Sequence, residues 1–330
     1  MGTTSVQHSS THYDVIIIGA GASGLLCAFT AAQRGRRVLV VEKANKVGKK
    51  ILMSGGGKCN FTNHFVEADN FISENSHFCK AALKRYSQWD FIALVERHGI
   101  EVEERKHSQQ FCKNSAKEIL AMLLDECDQA GVEIKTHCEI NAVKALDLKG
   151  HSDKHQHEDS RSQYQIDVTQ NHSKYTLECQ SLVVATGALS IPSLGGSGIG
   201  YDIAEQFGLA LTERRAGLVP FMFSDSVKLI CERLSGLALE VDVECKGRTF
   251  TENLLFTHRG ISGPVILQIS NYWQPGDEIS INLLPYMNAA EWLLKAKQQE
   301  GKSLLRTLLS KKMAKALVAE LQTLWWSDLA

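Results

Sequence analysis

The stretch YDVIIIGAGASG, residues 13–24, decides the fold class of this chain. It opens with a nearly continuous apolar run rich in β-branched side chains, which is typical of a strand buried on both faces of a parallel sheet. The helical pattern LLCAFTAAQRG follows and ends at Gly35, and a second apolar run, RVLVVE, ends at Glu42. This order predicts a βαβ unit at the start of an α/β fold.

The glycines between the first strand and the helix have the spacing of a dinucleotide-binding turn. We expect Gly19 to make the tight turn, Gly21 to admit a pyrophosphate, and Gly24 to let the helix pack on the strand. The helix N-terminus offers N–H groups to the anion, and Glu42 can accept hydrogen bonds from ribose hydroxyls. The context disfavours a glycine turn without a ligand. The predicted contacts of this region are Gly19, Gly21, Ala22, Ser23, Gly24, Glu42, Lys43 and Lys50.

The motif does not distinguish NAD from FAD, because both cofactors contain the ADP half that it recognises. A glutamate at the end of the second strand suits a free ribose 2'-hydroxyl and argues against NADP at this site. The choice between the two cofactors therefore depends on residues further along the chain.

Composition limits the classes of protein to consider. A length of 330 residues suits about two domains, and an apolar content of 44% suits a globular chain. Basic and acidic residues number 36 and 37, so nothing drives the whole molecule towards nucleic acid or an anionic membrane. No apolar run reaches the roughly 18 residues of a membrane span. We predict a cytoplasmic protein with a small-molecule partner, no nucleic-acid partner and no membrane partner, and we leave its oligomeric state open.

Cysteines and histidines give no clear metal pattern. The nine cysteines are scattered, and no two have the separation by two residues that a zinc ribbon or a thioredoxin-type dithiol needs. Isolated thiols suit a reducing cytosol. His151, His155 and His157 resemble a metal-binding tract, but the polar residues around them favour a solvated loop. We therefore predict no metal.

The stretch SGGGKCNFTN, residues 54–63, places three glycines before a lysine. A phosphate-binding Walker loop would need a glycine where Leu52 stands and a Ser or Thr where Cys59 stands. That interpretation fails at both positions. The glycines therefore need another explanation.

Four stretches of the chain resemble one known family. They are YDVIIIGAGASGLLCAFTAAQRGRRVLVVEK, VGKKILMSGGGKCNFTN, LVVATGALSIPSLGGSGIGYDIAEQFG and LLFTHRGISGPVILQIS. All are similar to sequences of FAD-dependent oxidoreductases of the aminoacetone-oxidase and BaiN-like flavoprotein family. The resemblance extends from Tyr13 to about Val318. It implies a Rossmann-like FAD-binding domain of the two-dinucleotide-binding-domain flavoprotein type, with an inserted antiparallel β-barrel and a helical subdomain.

The resemblance and the change of texture near residue 201 together predict the domain organisation. Residues 1–12 are expected to form a disordered tail, and residues 13–200 an FAD-binding domain. Residues 201–330 are expected to form the inserted barrel and helical subdomain. In the family, a final segment returns to the FAD domain, whereas this sequence stops at TLWWSDLA. From that difference we expect weak FAD binding and little turnover by the chain as given.

In the family, the loop that matches residues 54–63 lies along the flavin, so the resemblance implies that backbone N–H groups approach the ring there. Lys58 stands where many members have Arg; it either offsets charge on a reduced flavin or is a solvated loop charge. Cys59 is either a packing thiol, the favoured interpretation, or a redox partner. The implied cofactor contacts are Ser54, Gly55, Gly57, Lys58, Cys59, Asn60, Ile140, Ala185, Thr186 and Gly187.

His258 and Arg259 are the other catalytic candidates beside Lys58. They precede a short helix that Ser262 or Gly263 can cap and whose first turn contains Pro264. Such a helix start could face an anionic or carbonyl group of a substrate. A purely structural role for His258 and Arg259 is equally consistent with the sequence.

Four kinds of function remain for comparison. The resemblance favours an FAD-dependent oxidoreductase that moves hydride between the flavin and either NAD(P)H, as a transient reductant, or a small amine, carbonyl or enone substrate. A catalytically impaired truncated flavoprotein and an NAD-dependent dehydrogenase are alternatives. An RNA-modifying flavoprotein is disfavoured, because it would need a basic, aromatic-studded face that the near-zero charge does not suggest.

Overall fold

The structure, a computed structural model, describes residues 11–146, 162–191 and 196–326. The chain divides into two compact units, Met1–Thr212 and Glu213–Ala330. From the sequence alone, the change of domain was expected at residue 201.

The first unit begins with the alternation of strand and helix that its sequence predicts. In chain order its helices and strands are β1 (Thr11–Ile18), α1 (Ala22–Ala32), β2 (Val38–Val41), α2 (Lys49–Met53), β3 (Asn60–Asn63), α3 (Lys80–Arg85), α4 (Gln88–Arg97), β4 (Val102–Glu104), β5 (Gln109–Cys112), α5 (Ala116–Gln129), β6 (Glu133–Lys135), β7 (Cys138–Ala145), β8 (Tyr164–Gln170), β9 (Ser173–Val184) and α6 (Ile199–Gln206).

A six-stranded sheet of order β6-β2-β1-β9-β8-β7 is the frame of the first unit. Strand β1 pairs in parallel with β2 and with β9, and β2 pairs in parallel with β6. Strands β7, β8 and β9 form an antiparallel meander. The parallel strands β2, β1 and β9 therefore end at the same edge, which is where open α/β sheets bind their ligands.

Strand β1 is buried on both faces, as its apolar run predicts. Ile16 and Ile17 are both fully buried, and neighbouring side chains of a strand point to opposite faces. Ile17 packs in a core with Leu25 of α1 and Leu123 of α5. Ile16 packs in a second core with Ile166 of β8. Helices therefore cover one face of this Rossmann-type sheet, and the meander contributes to the core on the other.

Local sequence explains where the long helix α5 begins. Ser115 precedes it, and its hydroxyl accepts a hydrogen bond from the backbone N of Lys117 at 3.2 Å. The carboxylate of Glu118 accepts from the backbone N of Ser115 at 3.2 Å, which completes a capping box. The preceding strand β5 belongs to a small antiparallel sheet of order β3-β5-β4.

The second unit contains several helices and a five-stranded antiparallel sheet, whose strands lie in the order β10 (Phe221–Met222), β13 (Gly260–Ser262), β12 (Arg248–Thr257), β11 (Ala238–Cys245) and β14 (Ser280–Asn282). Its core joins Val241 and Leu254 of the sheet to Ile266 and Leu317 of two helices. In chain order its elements are β10 (Phe221–Met222), α7 (Ser226–Arg233), β11 (Ala238–Cys245), β12 (Arg248–Thr257), β13 (Gly260–Ser262), α8 (Pro264–Ile269), β14 (Ser280–Asn282), α9 (Ala289–Gln299), α10 (Leu305–Leu309) and α11 (Lys315–Trp325).

Two features at the ends of elements bear on the sequence predictions. Strand β1 starts at Thr11, so Thr11 and His12 pair with β9 and are not part of a tail. The rest of the predicted tail lies outside the described residues. Helix α8 has Pro264 in its first turn, as the sequence predicts, and of the two candidate caps, Ser262 and Gly263, the structure has Gly263. No helix in the described parts of the chain is long and apolar enough to cross a membrane.

Candidate cofactor-binding site

A cavity of about 930 Å³ lies at the carboxyl ends of β1, β2 and β9, within the first unit. Its volume is at the upper end of the range for small-molecule and cofactor sites, about 300–1,000 Å³. The structure brings most of the predicted cofactor contacts together in its wall. They are Gly19, Gly21, Ala22, Ser23, Glu42, Lys43, Lys50, Ser54, Cys59, Asn60, Ile140, Ala185, Thr186 and Gly187.

The three glycines of the turn after β1 are under different structural constraints. Gly19 has a φ of +107°, and an added Cβ would lie 2.5 Å from the carbonyl oxygen of Ala185. At Gly24, an added Cβ would overlap the carbonyl oxygen of Gly19. Gly21 has neither constraint, because its φ is −85° and no atom of the described residues lies within 4 Å of an added Cβ. Packing explains Gly19 and Gly24, whereas a ligand in the cavity would explain Gly21.

Helix α1 begins at the cavity wall without a side-chain cap. Gly21 is its N-cap, no side chain caps its first N–H groups, and its first turn contains no acidic residue. Ala22 and Ser23, in the first turn, line the cavity. The positive end of an 11-residue helix therefore offers backbone N–H groups to an anion at this wall.

Glu42 is fixed in place by backbone groups on both sides. Its Oε2 accepts a hydrogen bond from the backbone N of Ala20 at 2.9 Å, and its Oε1 accepts from the backbone N of Ala44 at 2.8 Å. Each carboxylate oxygen can accept a further hydrogen bond. Glu42 is therefore held before a ligand arrives and can still accept from ribose hydroxyls.

Strand β7 supplies the wall next to Glu42. The backbone N of Cys138 donates to the carbonyl oxygen of Glu42 at 2.9 Å, which joins the end of β2 to the start of β7. The ammonium of Lys43 lies 2.7 Å from Glu139, and its hydrogen bond lowers the pKa of that carboxyl. Ile140, predicted to contact adenine through its backbone, lies at an irregularity in the pairing of β7 with β8 and lines the cavity.

Lys50 connects α2 to the loop that follows β9. Its Nζ donates to the hydroxyl of Ser190 at 3.0 Å and to the carbonyl oxygen of Ala188 at 3.4 Å. An added Cβ at Gly187 would lie 3.6 Å from the same Nζ. A fixed cation therefore lies beside the ATG turn, where an anionic part of a ligand would meet it.

The glycine triplet after α2 has a conformational explanation. Gly55, Gly56 and Gly57 have φ values of +55°, +65° and +86°, which side chains disfavour. An added Cβ at Gly55 would also lie 2.6 Å from the backbone N of Asn60. Their neighbours Ser54 and Asn60 line the cavity, whereas the three glycines do not. The turn itself requires the glycines, and the expected close approach of a flavin to them is not needed to explain them.

Cys59 follows this turn, is buried and lines the cavity. Burial raises the pKa of its thiol, which is therefore protonated at neutral pH. Strand pairing places Cys112 nearby, since the backbone N of Cys112 donates to the carbonyl oxygen of Lys58 at 2.9 Å. Burial raises the pKa of Cys112 to about 11. This second thiol could not be predicted from the sequence, because the two cysteines are far apart along the chain.

The three catalytic candidates lie outside the lining of this cavity. The ammonium of Lys58 donates to the carbonyl oxygen of Lys113 at 2.5 Å. His258 and Arg259 lie in the second unit, in the turn between β12 and β13, where they line a depression with Phe223. The backbone of that turn is internally bonded, since the N of Arg259 donates to the Thr257 hydroxyl at 3.3 Å. Three predicted contacts, Gly24, Gly55 and Gly57, also lie outside the cavity lining.

Several residues of the cavity wall were not predicted from the sequence. Lys46 and Lys49 line the cavity. The lysine-rich run KANKVGKK, which follows Glu42 at the ligand edge of the sheet, could have indicated them. Phe61 and Phe91 form an apolar part of the wall, with ring centroids 5.9 Å apart. Asp202 of α6 adds a carboxylate. The two phenylalanines meet only through tertiary structure, so spacing could not reveal them.

Metal binding has no candidate among the described residues, which contain no group of three or more His, Cys, Asp or Glu able to hold an ion. His151, His155 and His157 lie outside the described residues. All nine cysteines are free thiols.

Two family models match the chain. One, described as the HI0933-like protein Rossmann domain, matches residues 13–262, and the other, described as the HI0933-like protein barrel and H2TH domain, matches residues 215–328. The chain belongs to the HI0933-like family. The predicted combination of an FAD-binding Rossmann-type domain with a barrel and a helical domain is thereby confirmed. The narrower assignment to the aminoacetone-oxidase and BaiN-like group stays a prediction.

Curated relatives extend the comparison to named proteins. The chain is 45% identical over 313 residues to a ribosomal RNA dihydrouridine synthase of Escherichia coli (strain K12), covering 94% of this chain and 74% of the relative. A protein of the same name from Haemophilus influenzae is 44% identical over 310 residues, with coverage of 94% and 74%. A 3-dehydro-bile acid delta(4,6)-reductase of Clostridium scindens is 26% identical over 290 residues, with coverage of 83% and 65%. The family is therefore one of oxidoreductase-type proteins with an FAD-binding fold.

Proposed function

We propose that this chain is an FAD-dependent oxidoreductase that reduces a uridine of ribosomal RNA to dihydrouridine. The observation that carries the proposal is the 45% identity to the Escherichia coli ribosomal RNA dihydrouridine synthase across 94% of this chain. An alignment of that extent spans both units, so it includes the cavity and the domain that follows it.

The cavity of the first unit fits the ADP half of FAD. The open space at Gly21 can admit a pyrophosphate, and the uncapped start of α1 can donate to it. Glu42 can accept from the ribose while two backbone N–H groups hold it. Lys46, Lys49 and Lys50 add positive charge to the wall. These features support FAD as the bound cofactor, with the adenine side near β7.

The chemistry requires one hydride and one proton for each uridine, because dihydrouridine has two more hydrogens across the C5–C6 bond. A bound flavin, re-reduced by NAD(P)H as the proposed transient reductant, supplies the hydride. The chain's own part is to hold the cofactor, to orient the base and to exclude water. Phe61 and Phe91 give the cavity an apolar wall suited to a flat ring. Cys59 presents a thiol that is protonated at neutral pH, because burial raises its pKa.

This proposal departs from the expectation that the protein has no nucleic-acid partner. That expectation depended on the near-zero charge of the whole chain, 36 basic against 37 acidic residues. Enzymes that act on a base take it out of its stack and read it in a pocket, which needs local contacts and no overall positive charge. A cytoplasmic location, where ribosomal RNA is found, stays a prediction.

The test is the conversion of unmodified ribosomal RNA. The chain is incubated without oxygen with FAD, NAD(P)H and ribosomal RNA transcribed in vitro, and the RNA is digested to nucleosides for mass spectrometry. We expect dihydrouridine in the complete mixture and none when FAD or the chain is omitted. Absence of dihydrouridine with a protein shown to carry FAD would contradict the proposal.

A second candidate function is reduction of a small conjugated carbonyl compound. The 26% identity to the Clostridium scindens 3-dehydro-bile acid delta(4,6)-reductase over 83% of this chain favours it. The two functions share the hydride step and differ in the substrate. Rapid NAD(P)H consumption with a small steroid enone and no dihydrouridine in RNA would select this second function.

A further inference from the structure

Helices α9 and α10 and the start of α11, in the second unit, lie in a strongly basic part of the chain. Residues 289–318, here called the basic helical segment, contain seven Lys or Arg and two Glu, so seven minus two gives a net charge of +5. The other 300 residues contain 29 basic and 35 acidic side chains, a net charge of −6. The basic side chains of the segment are Lys295, Lys297, Lys302, Arg306, Lys311, Lys312 and Lys315.

The two acidic residues of the segment neutralise little of this charge. Glu300 accepts two hydrogen bonds from the ammonium of Lys311, at 2.7 and 2.8 Å. Glu291 accepts from the side chain of Asn288 at 3.0 Å, at the start of α9. Within the described part of the chain, Lys311 is the one basic residue of the segment that pairs with a carboxylate. Six positive charges of the segment therefore have no carboxylate partner among the residues that the structure describes.

The ion pair between Lys311 and Glu300 also brings basic residues together. It joins the end of α9 to the turn before α11. Lys302 follows Glu300 by two residues and Lys312 follows Lys311 directly, so both flank this junction. Lys297 lies on the last turn of α9, and Lys315 opens α11. Four lysines without a carboxylate partner among the described residues therefore flank the two residues of this ion pair along the chain.

The helices and the turns between them leave these side chains exposed to solvent. All seven basic residues are exposed. Ala296, Leu308, Leu309, Leu317 and Val318 are buried, and Leu317 belongs to the core of the second unit. The apolar residues therefore fix the helices while the lysines face solvent, so replacing lysines should change the charge and leave the packing intact.

We propose that the basic helical segment binds the phosphate backbone of ribosomal RNA. The inference rests on the proposed function, which makes a polyanion the substrate, and on the charge complementarity between six unpaired cations and phosphates. Phosphate contacts position a nucleic acid without reading its sequence. The segment would therefore contribute affinity and register, while the choice of uridine belongs to the cavity.

The experiment compares two quadruple variants of the FAD-loaded chain. The test variant is Lys297→Gln, Lys302→Gln, Lys312→Gln and Lys315→Gln. The control removes the same charge from exposed lysines of the first unit, as Lys80→Gln, Lys84→Gln, Lys117→Gln and Lys174→Gln. Thermal unfolding and flavin content confirm that both variants are folded and loaded.

The readout is binding of an in vitro ribosomal RNA transcript at several salt concentrations. The logarithm of the association constant falls linearly with that of salt, with a slope of roughly 0.7 to 0.9 for each phosphate contact. We expect the test variant to lose about 3 units of slope and roughly tenfold or more in affinity at low salt. We expect the control variant to match the wild type.

Each other outcome overturns the inference. Equal slopes for the test variant and the wild type would show that the segment makes no phosphate contacts. Equal losses in both variants would show that the effect is one of total charge. If the wild type bound phosphatidylserine vesicles with the salt dependence expected for RNA, and did not bind RNA, the surface would be assigned to a membrane.

The measurement separates failure of this inference from failure of the proposed function. Dihydrouridine formation by the wild type at saturating RNA tests the proposed function, and it does so independently of the salt slopes of the two variants. If the wild type forms dihydrouridine and the slopes are equal, the proposed function stands and the surface assignment falls.

Discussion

The cavity of the first unit and the basic helical segment of the second unit differ in how they are encoded. The cavity depends on a few residues at fixed spacing, such as Gly19, Gly21 and Glu42, whose conformation and hydrogen bonds the structure shows in detail. The segment depends on summed charge over about thirty residues, which the rest of the chain cancels. A short motif can be recognised whatever the composition of the whole chain, whereas a local excess of charge is hidden when only the net charge of the whole chain is considered.

The largest effect is expected from Gly21→Val. Its Cβ would enter open cavity space and meet no atom of the described residues within 4 Å, so the variant should fold normally. The β-branched side chain would occupy the pyrophosphate position, and we expect a loss of FAD affinity of about 100-fold or more. Isothermal titration calorimetry measures the affinity, and thermal unfolding of the cofactor-free protein checks the fold.

The matched control is Gly24→Val, at the third glycine of the same turn. Its Cβ would overlap the carbonyl oxygen of Gly19, so this variant should lower the melting temperature even without FAD. If Gly21→Val lowers the melting temperature as much as Gly24→Val, or keeps full FAD affinity, the distinction between a packing glycine and a ligand glycine is wrong.

Glu42→Ala should have the next largest effect. The change removes an acceptor for ribose and frees the backbone N–H groups of Ala20 and Ala44. Hydrogen bonds to a charged group contribute about 1.5 to 3 kcal/mol, so FAD affinity should fall roughly 10- to 100-fold. Glu42→Gln keeps one side-chain acceptor and should lose less. If Glu42→Ala and the wild type bound FAD with the same affinity, Glu42 would not be a cofactor contact.

Alkaline pH should destabilise the first unit through its buried thiols. Burial raises the pKa of Cys112, Cys127 and Cys179 to about 11. These pKa values are higher when folded than when unfolded, so unfolding releases protons above about pH 9. The contribution to the free energy of unfolding is therefore present below that pH and is lost as pH rises towards 11. At pH 10.5, each thiol should account for a loss of about 1.5 to 2 kcal/mol.

Urea unfolding of the wild type and Cys127→Ala at pH 7.5 and 10.5 measures this effect. The variant loses a buried thiol whose Sγ donates to the carbonyl oxygen of Leu25 at 3.5 Å. Its stability at pH 7.5 is therefore expected to be lower, but its further loss on raising the pH should be smaller by the contribution of one thiol. An equal pH dependence would show that Cys127 is not as buried as the structure has it.

The smallest effect is expected from Lys58→Met. In the family resemblance this lysine faces the flavin, but in the structure its ammonium donates to the carbonyl oxygen of Lys113 and does not line the cavity. We therefore expect no measurable change in the flavin midpoint potential. A potential clearly lowered in the variant would restore the role in stabilising a reduced flavin that the resemblance implied.

The sequence predicted the parts of the fold whose physics is local. The apolar run of β1 predicted a strand buried on both faces, and Ile16 and Ile17 are fully buried. The position of Pro264 predicted the start of α8. The same reasoning gave the glycine turn and Glu42, because their roles follow from backbone geometry at one strand end.

The sequence could not predict contacts made by residues far apart along the chain. Phe61 and Phe91 meet in the cavity wall, and Cys59 lies near Cys112, through tertiary structure alone. At the glycine triplet, the sequence indicated the feature but not its cause. The sequence shows that side chains are excluded there, but the reason, three positive φ values, required the backbone of Gly55, Gly56 and Gly57.

The most direct test of the account follows the flavin and the RNA in one reaction. The FAD-loaded chain is reduced without oxygen, freed of excess reductant and mixed with unmodified ribosomal RNA. Absorbance at about 450 nm, where oxidised flavin absorbs, reports flavin oxidation, and mass spectrometry measures the amount of dihydrouridine. We predict that each flavin oxidised yields one dihydrouridine, and that RNA already carrying the modification leaves the flavin reduced. A flavin that stays reduced with unmodified RNA, or is oxidised without forming dihydrouridine, would contradict the account.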